Sequence, residues 1–330
     1  MREIITDYLD HIKTGRAQSY KNLALFPILS PHSATVEYRT LDEALAEHLI
    51  TITEIDTNGS VPELKVLNTS PGMVLIIDGE ELVGAKQNRI INTTIIIQAR
   101  KEVIIPVSCV EQGRWSYTTP EFMSRERIMP SRLRAMKSEQ VRESVRDTGE
   151  YRSHQGAIWH GLQDQARRMA AESPSMAMSH IYEKETPSLQ EYLKHFRIID
   201  SQIGAVFMIN GEVAGMDLFG RPDTFAGIFP KLVQSYAIDA IDWYESKQET
   251  KALKRHVTSF LKDTLVASVE CHPSVGLGTD CRFDSKKITG FALIHDNQVI
   301  HLCVFAKHGT GIPTGFTSRM GRYSQRRRTH

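Results

Sequence analysis

Residues 75–94, LIIDGEELVGAKQNRIINTT, place three carboxylates, a lysine and an arginine between two apolar runs. A carboxylate can act as a general base, and a guanidinium can hold a phosphate or carboxylate in a two-pronged contact. Adjacent strand residues point to opposite faces, so we do not expect Glu80 and Glu81 to share a pocket. Donors for a phosphate, carboxylate or carbonyl group follow at Lys86, Gln87, Asn88 and Arg89. The alternative is a solvated hairpin and loop, whose surface ion pairs contribute about 0–1 kcal/mol each.

A second group of chemically capable residues ends the segment IPVSCVEQGRW, residues 105–115. Glu111 could serve as a base or a metal ligand, and Arg114 could bind a phosphate. Cys109 lies in an apolar run without a local histidine, which is more typical of a small buried hydrophobe than of a nucleophile. The alternative interpretation is an ion pair between Arg114 and Glu111, with Trp115 packed on the end of the sheet.

The charge balance argues against nucleic acid as a partner. The chain has 40 basic and 39 acidic side chains, so no global field attracts a polyanion. Basic residues do cluster at residues 125–137 and in the tail, which has five arginines after Thr317. We expect that tail to be mobile, and we expect nucleic-acid binding to be unlikely.

Metal, membrane and disulfide patterns are weak. His301 and Cys303 share one face of a predicted strand, but they lack the tight paired spacing of structural zinc sites. A carboxylate site for a divalent ion, formed by Glu54, Asp78, Glu80 and Glu111, stays open, so no metal ligand is assigned and the cofactor is unknown. No apolar run approaches the ~20 residues that span a bilayer. The four cysteines are widely spaced, which favours a reducing cytoplasm over a disulfide scaffold.

The surrounding pattern predicts an α+β protein. Short apolar runs between residues 64 and 110 favour an antiparallel, β-rich N-terminal half that is sandwich- or barrel-like and packs with helices and later β-hairpins. A type I′ hairpin is predicted at Asp78-Gly79, because both turn residues of that type need positive φ. Hairpin turns are also predicted at Asn210-Gly211 and Asp296-Asn297. We divide the chain into a β-rich region (1–118), a helical region (119–200) and an α+β region with hairpins and the basic tail (201–330), or into a single compact domain made of all three.

The segments NLALFPI, TLDEALAEHLITITE, VPELKVLNTSPGMVLIIDGEELVGAKQNRIINTTIII and IPVSCVEQGRW resemble the ARG and Rhodanese-Phosphatase-superfamily-associated (ARPP) domain family, which is prokaryotic. The resemblance covers roughly the first 115 residues. It implies a setting of ADP-ribose, nucleotide or phosphate-ester chemistry without specifying a reaction. Carried over residue by residue, the family motif falls on Glu80, Gly84, Gln87, Asn88, Arg89, Cys109, Glu111, Arg114 and Trp115.

We therefore expect a cytoplasmic enzyme or sensor for an anionic, nucleotide-like or ADP-ribose-related small molecule. Arg89 and Arg114 would hold the anion, and Glu80 or Glu111 would act as general base. Lys86, Gln87, Asn88 and Trp115 would complete the binding site. The alternative is a non-catalytic assembly or adaptor protein of a stress or defence system, which could act as a homo-oligomer. An open concave site would favour the first interpretation, and buried, mutually paired residues would favour the second.

Overall fold

The fold comes from a computed structural model, which describes residues 1–56, 62–244 and 252–307. The arginine-rich tail lies outside these ranges. The described residues form eight helices, namely α1 (Arg2–Asp10), α2 (Leu41–Ala46), α3 (Ser131–Thr148), α4 (Gln155–Arg168), α5 (Met178–Lys184), α6 (Thr186–His195), α7 (Pro222–Asp242) and α8 (Lys254–Val266). They also form eighteen strands, namely β1 (Lys13–Thr14), β2 (Gln18–Tyr20), β3 (Leu23–Leu29), β4 (Tyr38–Thr40), β5 (Ile50–Thr53), β6 (Glu63–Asn68), β7 (Met73–Ile76), β8 (Glu80–Gly84), β9 (Arg89–Ile91), β10 (Ile95–Ile97), β11 (Glu102–Cys109), β12 (Phe122–Ile128), β13 (Gln202–Ile209), β14 (Glu212–Phe219), β15 (Ser268–Pro273), β16 (Thr279–Asp284), β17 (Ile288–His295) and β18 (Gln298–Ala306). The α+β class is confirmed.

A nine-stranded antiparallel sheet, called the large sheet, runs in the order β1-β3-β13-β14-β18-β17-β16-β15, with β2 also paired to β3. Strand β3 pairs with β13, so strands from residues 1–118 and 201–330 belong to one sheet. Both turn residues have positive φ at Asn210-Gly211 and at Asp296-Asn297. These turns connect paired strands, which confirms the two predicted later hairpins.

Two smaller sheets run in the orders β10-β7-β4 and β12-β8-β9-β11-β6-β5, and we call the two together the half-barrel. Apolar side chains such as Val66, Ile76 and Leu82 fill its interior. The predicted hairpin at Asp78-Gly79 is wrong, because β7 and β8 belong to different sheets. Only Gly79 has positive φ. The turn instead carries the chain from one sheet to the other, with Asp78 fully buried.

Helices cover both faces of the large sheet. Ile5 of α1 and Phe260 of α8 pack in one apolar cluster with strand residues such as Val206. Leu232 of α7 packs in a second cluster, which also contains Phe207 and several half-barrel residues. The half-barrel is thus held against the sheet face opposite α1 and α8. None of the described helices is long and apolar enough to cross a membrane.

One disulfide joins Cys271 of β15 to Cys281 of β16. The two cysteines are direct cross-strand partners, so the pairing arises from strand register. Sequence spacing does not reveal it, and the expectation that the cysteines carry no disulfide framework missed this bond. Cys109 and Cys303 are buried and are not disulfide-bonded.

Candidate functional site

The loop after β11 and the loop before β9 are joined by three of the predicted site residues. Arg114 contacts the Glu111 carboxylate through Nε at 2.9 Å and through Nη2 at 2.7 Å. Its Nη2 also donates to Asn88 Oδ1 at 3.0 Å, and the Asn88 backbone N–H donates to Glu111 at 3.2 Å. Further Arg114 bonds reach the carbonyl oxygens of Gly84 and Ala85. Arg114 therefore cross-links two loops in this structure.

Arg89 lies fully buried beneath the same loops. Its guanidinium donates to the Gln87 side chain at 3.1 Å and lies 3.6 Å from the Glu54 carboxylate. It also lies 5.7 Å from the centre of the Trp115 ring. Burial raises the pKa of the nearby Cys109 thiol to about 11, although Arg89 acts in the opposite direction. A protonated thiol is a poor nucleophile.

Lys86 lies beside Trp115 and Tyr117, and we call these three residues the Lys86 surface, although Lys86 itself is only 8% exposed. The Lys86 ammonium lies 5.4 Å from the centre of the Trp115 ring and 5.2 Å from that of Tyr117. The two rings keep 48% and 49% of their surface exposed. Cation–π attraction explains why the lysine lies between them.

Glu80 lies apart from the other predicted site residues. Its carboxylate forms an ion pair with the Lys231 ammonium of α7 at 2.6 Å and accepts a hydrogen bond from the Ile77 backbone N–H at 2.9 Å. Lys231 also pairs with Asp42. Burial raises the pKa of Glu80, and Lys231 opposes that shift. These contacts join α7, α2 and the start of β8, and they do not place Glu80 beside Glu111 or Arg114.

Glu81 has different neighbours, as strand alternation predicts. Arg127 and Glu183 influence its ionisation, and so does Glu111. Its carboxylate oxygens accept no hydrogen bond from any residue that the structure describes. Burial raises the pKa of Glu81 to about 7. Glu81 is therefore a fully buried carboxyl group with a raised pKa, a feature that the sequence did not distinguish from a residue in a solvated turn.

A second polar cluster, which we call the central network, lies where the half-barrel, α3 and the large sheet meet. Arg134 of α3 bonds both oxygens of Asp217, at 2.8 and 3.2 Å, and also pairs with Asp78 at 3.3 Å. Lys137, one helical turn further, pairs with Asp78 as well. All four side chains are at most 1% exposed. Sequence analysis missed this cluster because its members come from distant segments. The only local indication was two cations, Arg134 and Lys137, three positions apart on one helix.

His301 extends the central network. Its Nε2 lies 3.3 Å from Asp217, and its Nδ1 lies 2.8 Å from the Thr94 hydroxyl. Burial lowers the pKa of His301 although Asp217 acts in the opposite direction, which favours the neutral ring. Burial alone would raise the pKa of Asp217, but Arg134 and His301 hold it well below its usual value. The network is thus a buried ionised carboxylate surrounded by donors.

A family model for the ARG and Rhodanese-Phosphatase-superfamily-associated Protein domain matches residues 11–305. The chain belongs to this ARPP domain family. The match spans the Lys86 surface, the central network and the strands that hold them, so both clusters lie inside the ARPP domain. Neither a curated protein nor a solved structure matches the chain.

The ARPP domain has one group of side chains spaced like metal ligands among its described residues. Atoms of Asp217, His301 and Cys303 all lie within 4.8 Å of one another. Arg134 Nη2, however, lies 2.8 Å from Asp217 Oδ1 and 3.5 Å from Cys303 Sγ. A guanidinium held between these groups would repel a divalent cation. The arrangement fits an arginine–carboxylate pair better than a metal site.

The all-carboxylate site left open by the sequence of the ARPP domain does not form, because its four carboxylates are paired with different cations. The pairs are Glu54–Arg89, Asp78–Lys137, Glu80–Lys231 and Glu111–Arg114. Paired carboxylates that lie in separate clusters do not present the converging oxygen ligands that a hard divalent ion requires.

Proposed function

We propose that the Lys86 surface binds an anionic small molecule that carries a flat ring, of the nucleotide-like or ADP-ribose-related class. The observation that carries the proposal is the position of the Lys86 ammonium, 5.4 and 5.2 Å from the centres of two half-exposed aromatic rings. An aromatic base stacks on such rings, and the buried ammonium beside them attracts a phosphate placed at their edge. Both halves of a nucleotide therefore find a partner within one small area.

The buried residues behind the surface take supporting parts in this proposal. Arg89 lies behind Trp115 and adds a second positive charge. Arg114, Glu111 and Asn88 fix the loop that carries Trp115. Pre-organised side chains lose less entropy when a ligand binds, so a rigid loop raises affinity.

Catalysis, in this proposal, depends on Glu111 rather than Glu80. Glu111 is the carboxylate nearest in the chain to Trp115, whereas Glu80 is engaged with Lys231 on α7. A general base must reach the proton that it removes. Glu111 would therefore have to release Arg114 to the ligand phosphate when the ligand is bound. The bonds of Arg114 to Asn88, Gly84 and Ala85 would still hold the loop.

The experiment is a thermal-shift screen with ADP-ribose, AMP, adenosine and ribose 5-phosphate. Adenosine offers the ring without charge, and ribose 5-phosphate offers charge without the base, so the screen separates the two contributions. Lys86→Gln is compared with Lys21→Gln, because Lys21 also lies near aromatic rings, those of Tyr20 and Tyr244. We expect a ligand shift that Lys86→Gln abolishes and Lys21→Gln leaves intact. Equal shifts in both variants would contradict the assignment to Lys86.

A second candidate function, non-catalytic assembly, is favoured by the mutual pairing of the predicted polar residues. Arg89, Glu111 and Arg114 are buried or nearly so and have partners within the chain. Trp115 and Tyr117 would then pack against a second copy of the chain. Light scattering after size-exclusion chromatography tests this candidate. A double change of Trp115→Ala and Tyr117→Ala that converts an oligomer to a monomer would favour assembly over ligand binding.

A further inference from the structure

The disulfide lies in an unusual position at the edge of the large sheet. Strand β15 is the last strand in the sheet order, so only β16 pairs with it. Cys271 on this edge strand is exposed, whereas its partner Cys281 on β16 is fully buried. An edge strand offers one open side, and an attacking thiolate can therefore reach the Cys271 sulfur.

The loop that the disulfide closes, residues 272–280, docks on the half-barrel. The Leu277 backbone N–H donates to the Ile96 carbonyl of β10 at 2.9 Å. A Cβ on Gly276 would lie 2.0 Å from the same carbonyl oxygen, so the contact depends on glycine at this position. The Tyr151 hydroxyl donates to the Pro273 carbonyl at 2.7 Å and holds the loop from the other side.

The two residues that flank Cys281 make a second contact with the half-barrel. The Thr93 hydroxyl donates to Asp280 at 2.9 Å and receives Arg282 Nη2 at 2.6 Å. Thr93 neighbours Thr94, which contacts His301 of the central network. Strand β16 therefore connects the disulfide to the contact between the half-barrel and the large sheet.

We propose that Cys271 and Cys281 form a redox modification site, and that reduction loosens the docking of loop 272–280 on β10. A cross-link that closes a short loop restricts the alternative conformations of that loop. When the cross-link is lost, more conformations compete with the docked one. The contact between Leu277 and Ile96 then opens more often.

The co-reactant is a dithiol reductant. One of its thiolates attacks the exposed Cys271 sulfur, forms a mixed disulfide and releases Cys281 as a thiolate, which takes up a proton. The second thiolate of the reductant attacks the reductant sulfur that is bonded to Cys271. This step releases Cys271 as a thiolate, which is also protonated. The reductant loses two electrons and two protons to become a disulfide, and the protein gains two thiols.

The remaining cysteines do not compete for this reaction. Cys109 and Cys303 are both buried, and no disulfide joins them. Among the residues that the structure describes, the bond between Cys271 and Cys281 is therefore the one that a reductant can break.

The test is hydrogen exchange of the full chain, air-oxidised and then treated or not with dithiothreitol. Peptide mapping after alkylation without reductant first reports whether Cys271 and Cys281 are joined. We expect reduction to speed exchange of the Leu277 amide about fivefold or more, because a local opening is made easier. Peptides from α8, on the opposite face of the large sheet, should not change. In Cys271→Ser, the Leu277 amide should exchange under both conditions at the faster rate of the dithiothreitol-treated wild type.

Three results would overturn the proposal. The first is alkylation of both Cys271 and Cys281 in the air-oxidised chain, which would mean that no bond forms. The second is an unchanged Leu277 exchange rate after confirmed reduction, which would mean that docking does not depend on the bond. The third is an equal response to dithiothreitol in Cys271→Ser, which would place the redox effect elsewhere.

Discussion

At the scale of single residues, the polar run at positions 86–89 lies close to the second group of residues that the sequence singled out. Hairpin geometry does not require these side chains, and the structure brings them together with Glu111, Arg114 and Trp115. Glu80 could not be placed in the same way. Its partner Lys231 comes from a helix about 150 positions later, and pairing over that distance leaves no local pattern.

Glu81 provides the sharpest prediction at this scale. Burial raises its pKa from 4.5 to about 7, so the folded chain binds a proton that the unfolded chain has lost. The resulting destabilisation is absent below pH 4.5, grows as the pH rises and is complete above pH 7. Relative to wild type, Glu81→Gln should therefore gain about 3 kcal/mol of unfolding free energy between pH 4.5 and pH 8.

Urea denaturation of both proteins at a series of pH values measures this gain. The comparison isolates Glu81, because every other titrating group is common to the two chains. A difference between variant and wild type that stays constant from pH 4.5 to pH 8 would show that Glu81 ionises normally.

At the scale of elements, turn chemistry predicted connections well where the turn residues are at least partly exposed. Asn210-Gly211 and Asp296-Asn297 have the positive φ values that the hairpin turn requires, and their strands pair. Asp78-Gly79 has the same composition but a buried aspartate. The attraction of Asp78 for Arg134 and Lys137 determines that turn, and no local pattern reports those partners.

A substitution at Gly113 tests whether ligand binding needs the loop that carries Trp115 to pack against residues 174–175. A Cβ at Gly113 would lie 2.8 Å from the Ser175 Cα and 2.9 Å from the Pro174 carbonyl oxygen, both backbone atoms that cannot move aside cheaply. Gly113→Ala should therefore displace the loop, cost about 1–3 kcal/mol of stability and weaken ligand binding about tenfold.

Gly156→Ala in α4 is the matched control, since a Cβ there meets nothing within 4 Å. It should leave ligand binding unchanged and stabilise the chain by up to about 1 kcal/mol, because alanine favours the helix. Thermal denaturation and a binding titration of both variants decide the matter. Wild-type affinity in Gly113→Ala would mean that the docked loop is not needed for binding.

At the scale of the whole molecule, the central network joins parts that the sequence divides among three regions. Asp78 belongs to the half-barrel, Arg134 to the helical part and Asp217 to the large sheet. Periodicity indicates which elements form, but it does not indicate which buried charges meet. The α+β class was therefore predictable, whereas the mutual position of half-barrel and large sheet was not.

Replacement of Arg134 tests the weight of this network. Arg134→Met leaves Asp78 with Lys137 alone and removes from Asp217 its strongest cationic partner. A buried carboxylate that loses its cation costs about 3–5 kcal/mol, so the variant should unfold at a much lower urea concentration. Arg146→Met, which removes an exposed ion pair with Asp147, should have no measurable effect. Equal stability of the two variants would contradict the structural role of the network.

The central claim is that the Lys86 surface binds a nucleotide-like or ADP-ribose-related anion, and calorimetric titration with ADP-ribose and AMP tests it most directly. Wild type and Lys21→Gln should bind at least one of the two with the same affinity. Trp115→Ala should lose about tenfold through stacking, and Lys86→Gln should lose a similar amount that shrinks at high salt. Equal affinity in all four proteins, or no binding by the wild type, would contradict the claim.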